Sequence, residues 1–203
     1  MKKLLLLVLT LALSLSLMVA CKKDEPDDPD DNSSVLSPFT DAIASSAPVS
    51  ASITTKLAYT INGLTGTLEC AYNVTYAADG SATVSYTKEV LNEIDEDTTE
   101  YKSTVPGTAT VDAEGNVTGD LGGSVTAATV LKLTPDKDKM TFEIEGGVLT
   151  ATVSADNAAS VLGVNTGAET TLKITVSNGK VTSVAITYTT ATGPAEIVAV
   201  YTY

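Results

Sequence analysis

Residues 65–90 read TGTLECAYNVTYAADGSATVSYTKEV. Leu68, Cys70, Tyr72, Val74 and Tyr76 fall on one parity, and Thr67, Glu69, Asn73 and Thr75 on the other. A period of two with one apolar side belongs to a strand with one buried face. Ala78-Asp79-Gly80 interrupts the pattern with hairpin-turn chemistry, after which Ala82, Val84, Tyr86 and Val90 resume it. An isolated two-stranded hairpin is at best marginally stable. The stretch therefore predicts a larger antiparallel sheet.

The flanking sequence supplies the other strands. Upstream, Val49, Ala51, Ile53, Leu57, Tyr59 and Ile61 alternate with Ser50, Ser52, Thr54, Lys56, Ala58, Thr60 and Asn62, which predicts a long half-buried strand. Before it, Ser37 is a candidate cap for a short helix with Pro38 in its first turn, Phe39, Ala42 and Ile43 on one face, and Pro48 beyond its end. Downstream, weaker strands are expected near 100–105 and 107–113, with a turn at Glu114-Gly115-Asn116. The run GDLGG at 119–123 breaks the chain, and alternation of Val125, Ala127, Leu131 and Leu133 favours strand over helix for 124–134. Met140, Phe142 and Ile144 lead through Gly146-Gly147 into Leu149, Ala151 and Val153, a second hairpin. SADNAASVL at 154–162 puts Ala155, Ala158, Ala159 and Leu162 on one helical face, and Gly163 stands where a C-terminal cap is favoured. The last strands carry Leu172, Ile174 and Val176, then Val184, Ile186 and Tyr188 after a turn at Asn178-Gly179, then Ile197 to Tyr203. Val181 is out of phase with Val184, which predicts a bulge near Thr182 and Ser183. The closing run AEIVAVYTY is apolar on both faces, as expected of a central strand or one beneath a helix.

Ten or so strands with one apolar row each cannot be hidden by two helices of about ten residues unless the sheet curls. The expected fold is mostly β: a strongly curved antiparallel sheet, an open half-barrel, with two short helices on its concave side. Curling brings Leu57, Tyr72, Val84, Phe142, Ile174 and Ile186 towards one interior, with Phe39, Ile43, Ala158 and Leu162 supplied by the helices. Those residues apart from Ala158 are the candidate lining of a groove, because two Phe, no Trp and many small side chains fill space poorly.

The N-terminus has a different character. Lys2 and Lys3 precede an uncharged, Leu-rich run from Leu4 to Ala20, the pattern of a secretory signal. Met18, Val19, Ala20 and Cys21 resemble the lipobox of bacterial lipoproteins, which implies removal of residues 1–20 and acylation of Cys21, with palmitate among the expected chains. An uncleaved N-terminal membrane helix is the competing reading of the same run. Residues 21–36 then form a lipidated cysteine and an acidic tether, KKDEPDDPDDNSSVL after Cys21, too polar to bury a core. Residues 37–203 form a single β-rich domain. The acidic start of the tether resembles segments that direct some lipoproteins to the outer face of the outer membrane, so the expected location is the bacterial envelope, outside the cytoplasm.

Composition narrows the function. The chain has 203 residues, 25 acids against 12 Lys, and no His or Arg, for a net charge of −13. A nucleic-acid partner needs a basic footprint, which this chain lacks. Without His it loses the usual general base and a common metal ligand, and without Arg the bidentate anion clamp. Cys70 lies between Leu68 and Tyr72 with no His to activate it, and reads as a small core residue. Glu93, Asp95, Glu96, Asp97 and Glu100 crowd one loop but match no calcium-loop spacing, so a solvated acidic loop is expected. Gly119, Gly122 and Gly123 read as turn residues, since no Lys-Ser or Lys-Thr follows. Lys88 falls on the apolar face of its strand, where it is expected to reach outward at a sheet edge, or to meet a ligand headgroup.

In its order of elements, PFTDAIASSAP before a long first strand, YAADGSATVSY, SADNAASVLG between strands, and the terminal VTSVAITYTTATGPAEIVAVYTY, the domain resembles the lipoprotein localisation factor superfamily, including its lipid-carrying lipoprotein branch, and small bacterial surface lipoproteins of similar layout. The resemblance implies a half-barrel around an apolar groove. The localisation factor holds its lid with an Arg, and this chain has none, so that mechanism does not carry over. The expected function is that of a membrane-anchored, surface-exposed, non-catalytic lipoprotein binding a hydrophobic ligand such as an acyl chain, with no cofactor and no metal. The alternative is a structural or interaction lipoprotein with a filled core that contacts protein or glycan.

Overall fold

The Asp79-Gly80 turn closes its hairpin as its chemistry dictates. Gly80 takes a positive φ of 84°, and Asp79 Oδ1 accepts from the Ser81 amide at 3.0 Å and from its hydroxyl at 2.7 Å. The computed structural model describes residues 33–61, 63–94 and 99–203. In chain order its elements are α1 (Ser33–Ser45), β1 (Ser50–Ile61), β2 (Leu64–Tyr76), β3 (Ala82–Ile94), β4 (Thr99–Val111), β5 (Val117–Thr118), α2 (Gly123–Val130), β6 (Met140–Glu145), β7 (Val148–Val153), α3 (Ala155–Leu162), β8 (Thr170–Ser177), β9 (Lys180–Thr189) and β10 (Pro194–Thr202).

All ten strands join one antiparallel sheet in the order β5-β4-β3-β2-β1-β10-β9-β8-β7-β6. Two meanders thus run outward from a central seam where β1 pairs with β10. The register carries apolar residues across the sheet in rows. One row runs Tyr86, Tyr72, Ile53, Ala199, Val184, Ile174 and Leu149; the next runs Lys88, Cys70, Thr55, Ile197, Ile186, Leu172 and Ala151. Ile53, Ala199, Ile174, Leu149, Ile186 and Leu172 are wholly buried. Ala109 on β4 and Leu149 on β7 stand near opposite ends of the strand order, yet both are buried in one continuous core. Three short helices complete that core only because the sheet is curved and left open. α1 lies over β8 and β9, α2 over β1 and β10, and α3 against β7.

The free edge at β4 is guarded. The Asp112 amide donates to the Asn116 carbonyl, so the even-numbered residues of β4 aim their backbone groups away from β3. Pro106 is one of them, and its missing donor lies where a strand added at that edge would need one.

Four expectations change. The helix after the tether begins at Ser33 rather than Ser37, with Pro38 inside it, because Leu36 extends the buried stripe of Phe39 and Ala42 one turn back. Residues 33–36 accordingly belong to the domain rather than the tether. The two weak strands expected at 100–113 are one strand, β4, since an edge tolerates Pro106. Residues 123–130 form a helix, not a strand, so the described residues hold three short helices rather than two. Alternation misleads there because Val125, Ala127, Ala128 and Thr129 are all buried, a helix covered on several sides having no clean period. β10 is central, as expected, but its outer face is not covered, and Val200 is 51% exposed.

Other details agree. Gly163 caps α3 with φ of 71°. Thr175 pairs with Ser183 and Val176 with Val181, leaving Thr182 as the extra residue of a bulge. The leader, Cys21, the tether up to Asn32 and most of the acidic loop at 93–100 lie outside the described residues.

Candidate functional site

The helical cover does not reach the whole inner face. Strands β1 to β4 are 12 or 13 residues long, whereas β6 and β7 have six. Their additional length carries a further row, Val90, Leu68, Leu57, Ala195 and Tyr188, on the covered side. Leu57, Leu68, Val90 and Tyr188 are only half-buried. Between this row and the start of α2 is a cleft of about 290 Å³, with Leu57, Leu68, Tyr72, Tyr188, Ala195 and Ile197 from the sheet and Leu121, Gly122, Gly123 and Val125 from the helix side.

The cleft has one polar wall. Lys88 rises from β3, and its Nζ lies 3.1 Å from Asp120 Oδ2 in the loop before α2. The same ammonium stands 5.3 Å from the centre of the Tyr86 ring. Tyr86 in turn packs on Tyr72, with ring centres 5.6 Å apart. The hydrogen bond to Asp120 raises the Lys88 pKa above the usual lysine value, and burial pushes the Tyr72 hydroxyl far above the usual tyrosine range. Both stay protonated near neutral pH. Lys88 does not reach outward at an edge, because β3 is interior to the sheet; it turns along the cleft to Asp120 instead. Lys56 and Glu196 border the same region but belong to the opposite face by alternation, where Lys56 pairs with Glu69 at 2.8 Å.

The candidate groove residues divide. Phe39, Tyr72, Val84, Leu162, Ile174 and Ile186 are buried in the core, and Ile43 and Phe142 pack against it partly exposed. Leu57 and Tyr72 meet at the cleft, while Ile43 borders a separate groove of about 600 Å³ between the end of α1 and the end of α2. Much of the space expected to form a groove under the helices is occupied by side chains, with α2 contributing Val125 and Ala128 to the core. Asp120 and Leu121 belong to the site although the sequence marks them only as part of a glycine-rich turn. An apolar residue between turn glycines was the available signal, and Leu121 is 4% exposed.

Cys70 is a free, buried thiol as its flanking residues imply. Among the described residues no cluster of His, Cys, Asp or Glu is placed to hold a metal. No family model and no curated protein matches the chain.

Proposed function

We propose that the chain is a membrane-anchored, surface-exposed bacterial lipoprotein without a catalytic role, which holds a hydrophobic ligand in the open row of its sheet. The observation that carries this reading is the half-buried apolar row of Leu57, Leu68 and Tyr188 beyond the helical cover, facing a cleft near the lower size limit of small-molecule sites. The basic start, Leu-rich run and lipobox-like residues before Cys21 support the anchor. Among the described residues no helix is long and apolar enough to cross a membrane.

The test is native mass spectrometry of the full chain, made in a bacterial host and released from neutral-detergent micelles. A lipid adduct lost in Leu68→Trp, which fills the cleft, supports the reading. A chain free of adducts that also fails to take up added acyl compounds overturns it. The second reading, a structural or interaction lipoprotein, is favoured by the filled space beneath the helices, where Ile53, Leu172 and Ile186 have no exposure.

A further inference from the structure

We infer that the ligand of this cleft is a single-chain amphiphile with a carboxylate head, and that its head takes the place of Asp120 at Lys88. The inference rests on the ligand-binding reading above and adds the chemistry of the ligand. Its basis is the distribution of charge around the cleft, where Lys88 and Asp120 stand on the covered side while Lys56 and Glu196 border it from strand positions of the opposite face.

Lys56 and Lys173 stand on the outer face of the sheet, while Lys88 is placed by register on the covered face, in the row of Cys70, Thr55 and Ile197. The Lys88 side chain is 30% exposed, and two groups face its ammonium, the Tyr86 ring and the Asp120 carboxylate. They differ in how firmly they are held. Tyr86 belongs to the sheet, whereas Asp120 is 79% exposed and sits in a loop between Gly119 and Gly122, both at positive φ. An ion pair with one partner so exposed contributes little to stability, so giving it up costs the fold little. Asp120 behaves as an internal stand-in for an anion that enters from solvent.

The rest of the cleft matches the tail of such a ligand. Leu57, Leu68, Leu121 and Ile197 line it with apolar surface, and Lys88 is at the polar wall. One ammonium balances a monoanion, which favours a carboxylate over a phosphate monoester carrying close to two charges. A tail seated on the Leu57 row with its head at Lys88 buries apolar surface and keeps the lysine paired, as recognition by a few placed polar groups requires.

The experiment uses the full chain in a neutral maltoside micelle and a twelve-carbon fatty acid bearing a chain-terminal diazirine, with labelled peptides mapped by mass spectrometry. Competitors are dodecanoate, dodecyl phosphate and dodecylamine, which share a tail and differ in the head. The expected result is labelling of the β1, β2 and α2 peptides that line the cleft. Dodecanoate should compete at concentrations at least tenfold lower than dodecylamine, and several-fold lower than dodecyl phosphate. Lys88→Met should remove the preference for dodecanoate over dodecylamine, Lys88→Arg should retain it, and Asp120→Asn should strengthen dodecanoate several-fold by removing the internal competitor. Unchanged circular dichroism guards against misfolding. Labelled cleft peptides with equal competition by all heads, or a preference untouched by Lys88→Met, would overturn the carboxylate assignment while leaving the cleft as an apolar site. Stronger competition by dodecyl phosphate than by dodecanoate would overturn it in favour of a phosphate head. Absence of cleft labelling would remove the ligand-binding reading itself.

Discussion

The hydroxyl of Tyr201, in the last strand, donates a hydrogen bond to the carbonyl of Ala128 in α2. The Tyr76 hydroxyl does the same for Thr129, at 2.6 Å. Helices leave their last carbonyls without intrahelical partners, and here the Lys132 amide closes onto Ala127 instead. Two sheet tyrosines thus satisfy the two carbonyls that follow, which holds an eight-residue helix too short to persist alone.

Removing either hydroxyl strands a carbonyl. Tyr201→Phe is expected to destabilise the domain by about 1–3 kcal/mol, and Tyr76→Phe by no more than that because its site is wetter. Urea unfolding followed by circular dichroism measures both. A change below about 0.5 kcal/mol for Tyr201→Phe would show that water takes over the bond.

The same tyrosines set an alkaline limit. Burial raises the pKa of Tyr76 and Tyr201 in the folded state well above the ordinary value of 10.0. A group whose pKa is raised on folding contributes stability that is fully present below its unfolded value and lost as pH rises through the folded one. The thermal midpoint should therefore hold between pH 7 and 9 and fall above pH 10. In the double variant Tyr76→Phe/Tyr201→Phe the fall should be shallower. An equally steep fall would assign the alkaline limit to other groups.

Tyr86 faces Gly107 across the β3–β4 pair, and a Cβ built on Gly107 would penetrate the Tyr86 ring. Tyr59 covers Gly66 in the same way, its ring atoms 2.6 Å from where a Cβ would stand. Such aromatic cover of strand glycines offsets their intrinsic cost in a sheet. Gly107→Ala should cost about 1–3 kcal/mol by overpacking, and Tyr86→Leu/Gly107→Ala should recover part of it. A neutral Gly107→Ala would mean that the ring swings clear without loss.

The anchor has a direct chemical test. Metabolic labelling with an alkyne fatty acid should tag the wild-type chain and leave Cys21→Ser untagged and unprocessed at residue 20. A labelled Cys21→Ser chain would refute the lipobox reading.

The acidic segment before α1 should be separable from the fold. Residues 22–32 include no residue able to join an apolar core, so their deletion is expected to leave the thermal midpoint unchanged. Extending the deletion through Leu36, which is 3% exposed, should lower it by several degrees. A loss already present on deleting 22–32 would show that this segment packs on the domain.

The strands and their facing were legible in the sequence because a pleated, one-sided sheet writes its burial into alternate residues. The hairpin at 65–90, the closing strand, the cap at Gly163 and the bulge at Thr182 all follow from local pattern and turn chemistry. The curl was also legible, since ten apolar rows exceed what short helices cover. Tertiary structure alone decided that Val125 to Thr129 wind into a helix, because a segment buried on several sides loses its period, and its carbonyls are completed by Tyr76 and Tyr201 from strands distant in the chain. It also decided the site. Register sets Leu57 beside Leu68, and strand length leaves them beyond the helices. Lys88 meets Asp120, 32 residues away, only because the loop before α2 folds back over the sheet. No local spacing encodes that meeting, since it depends on where the helix docks.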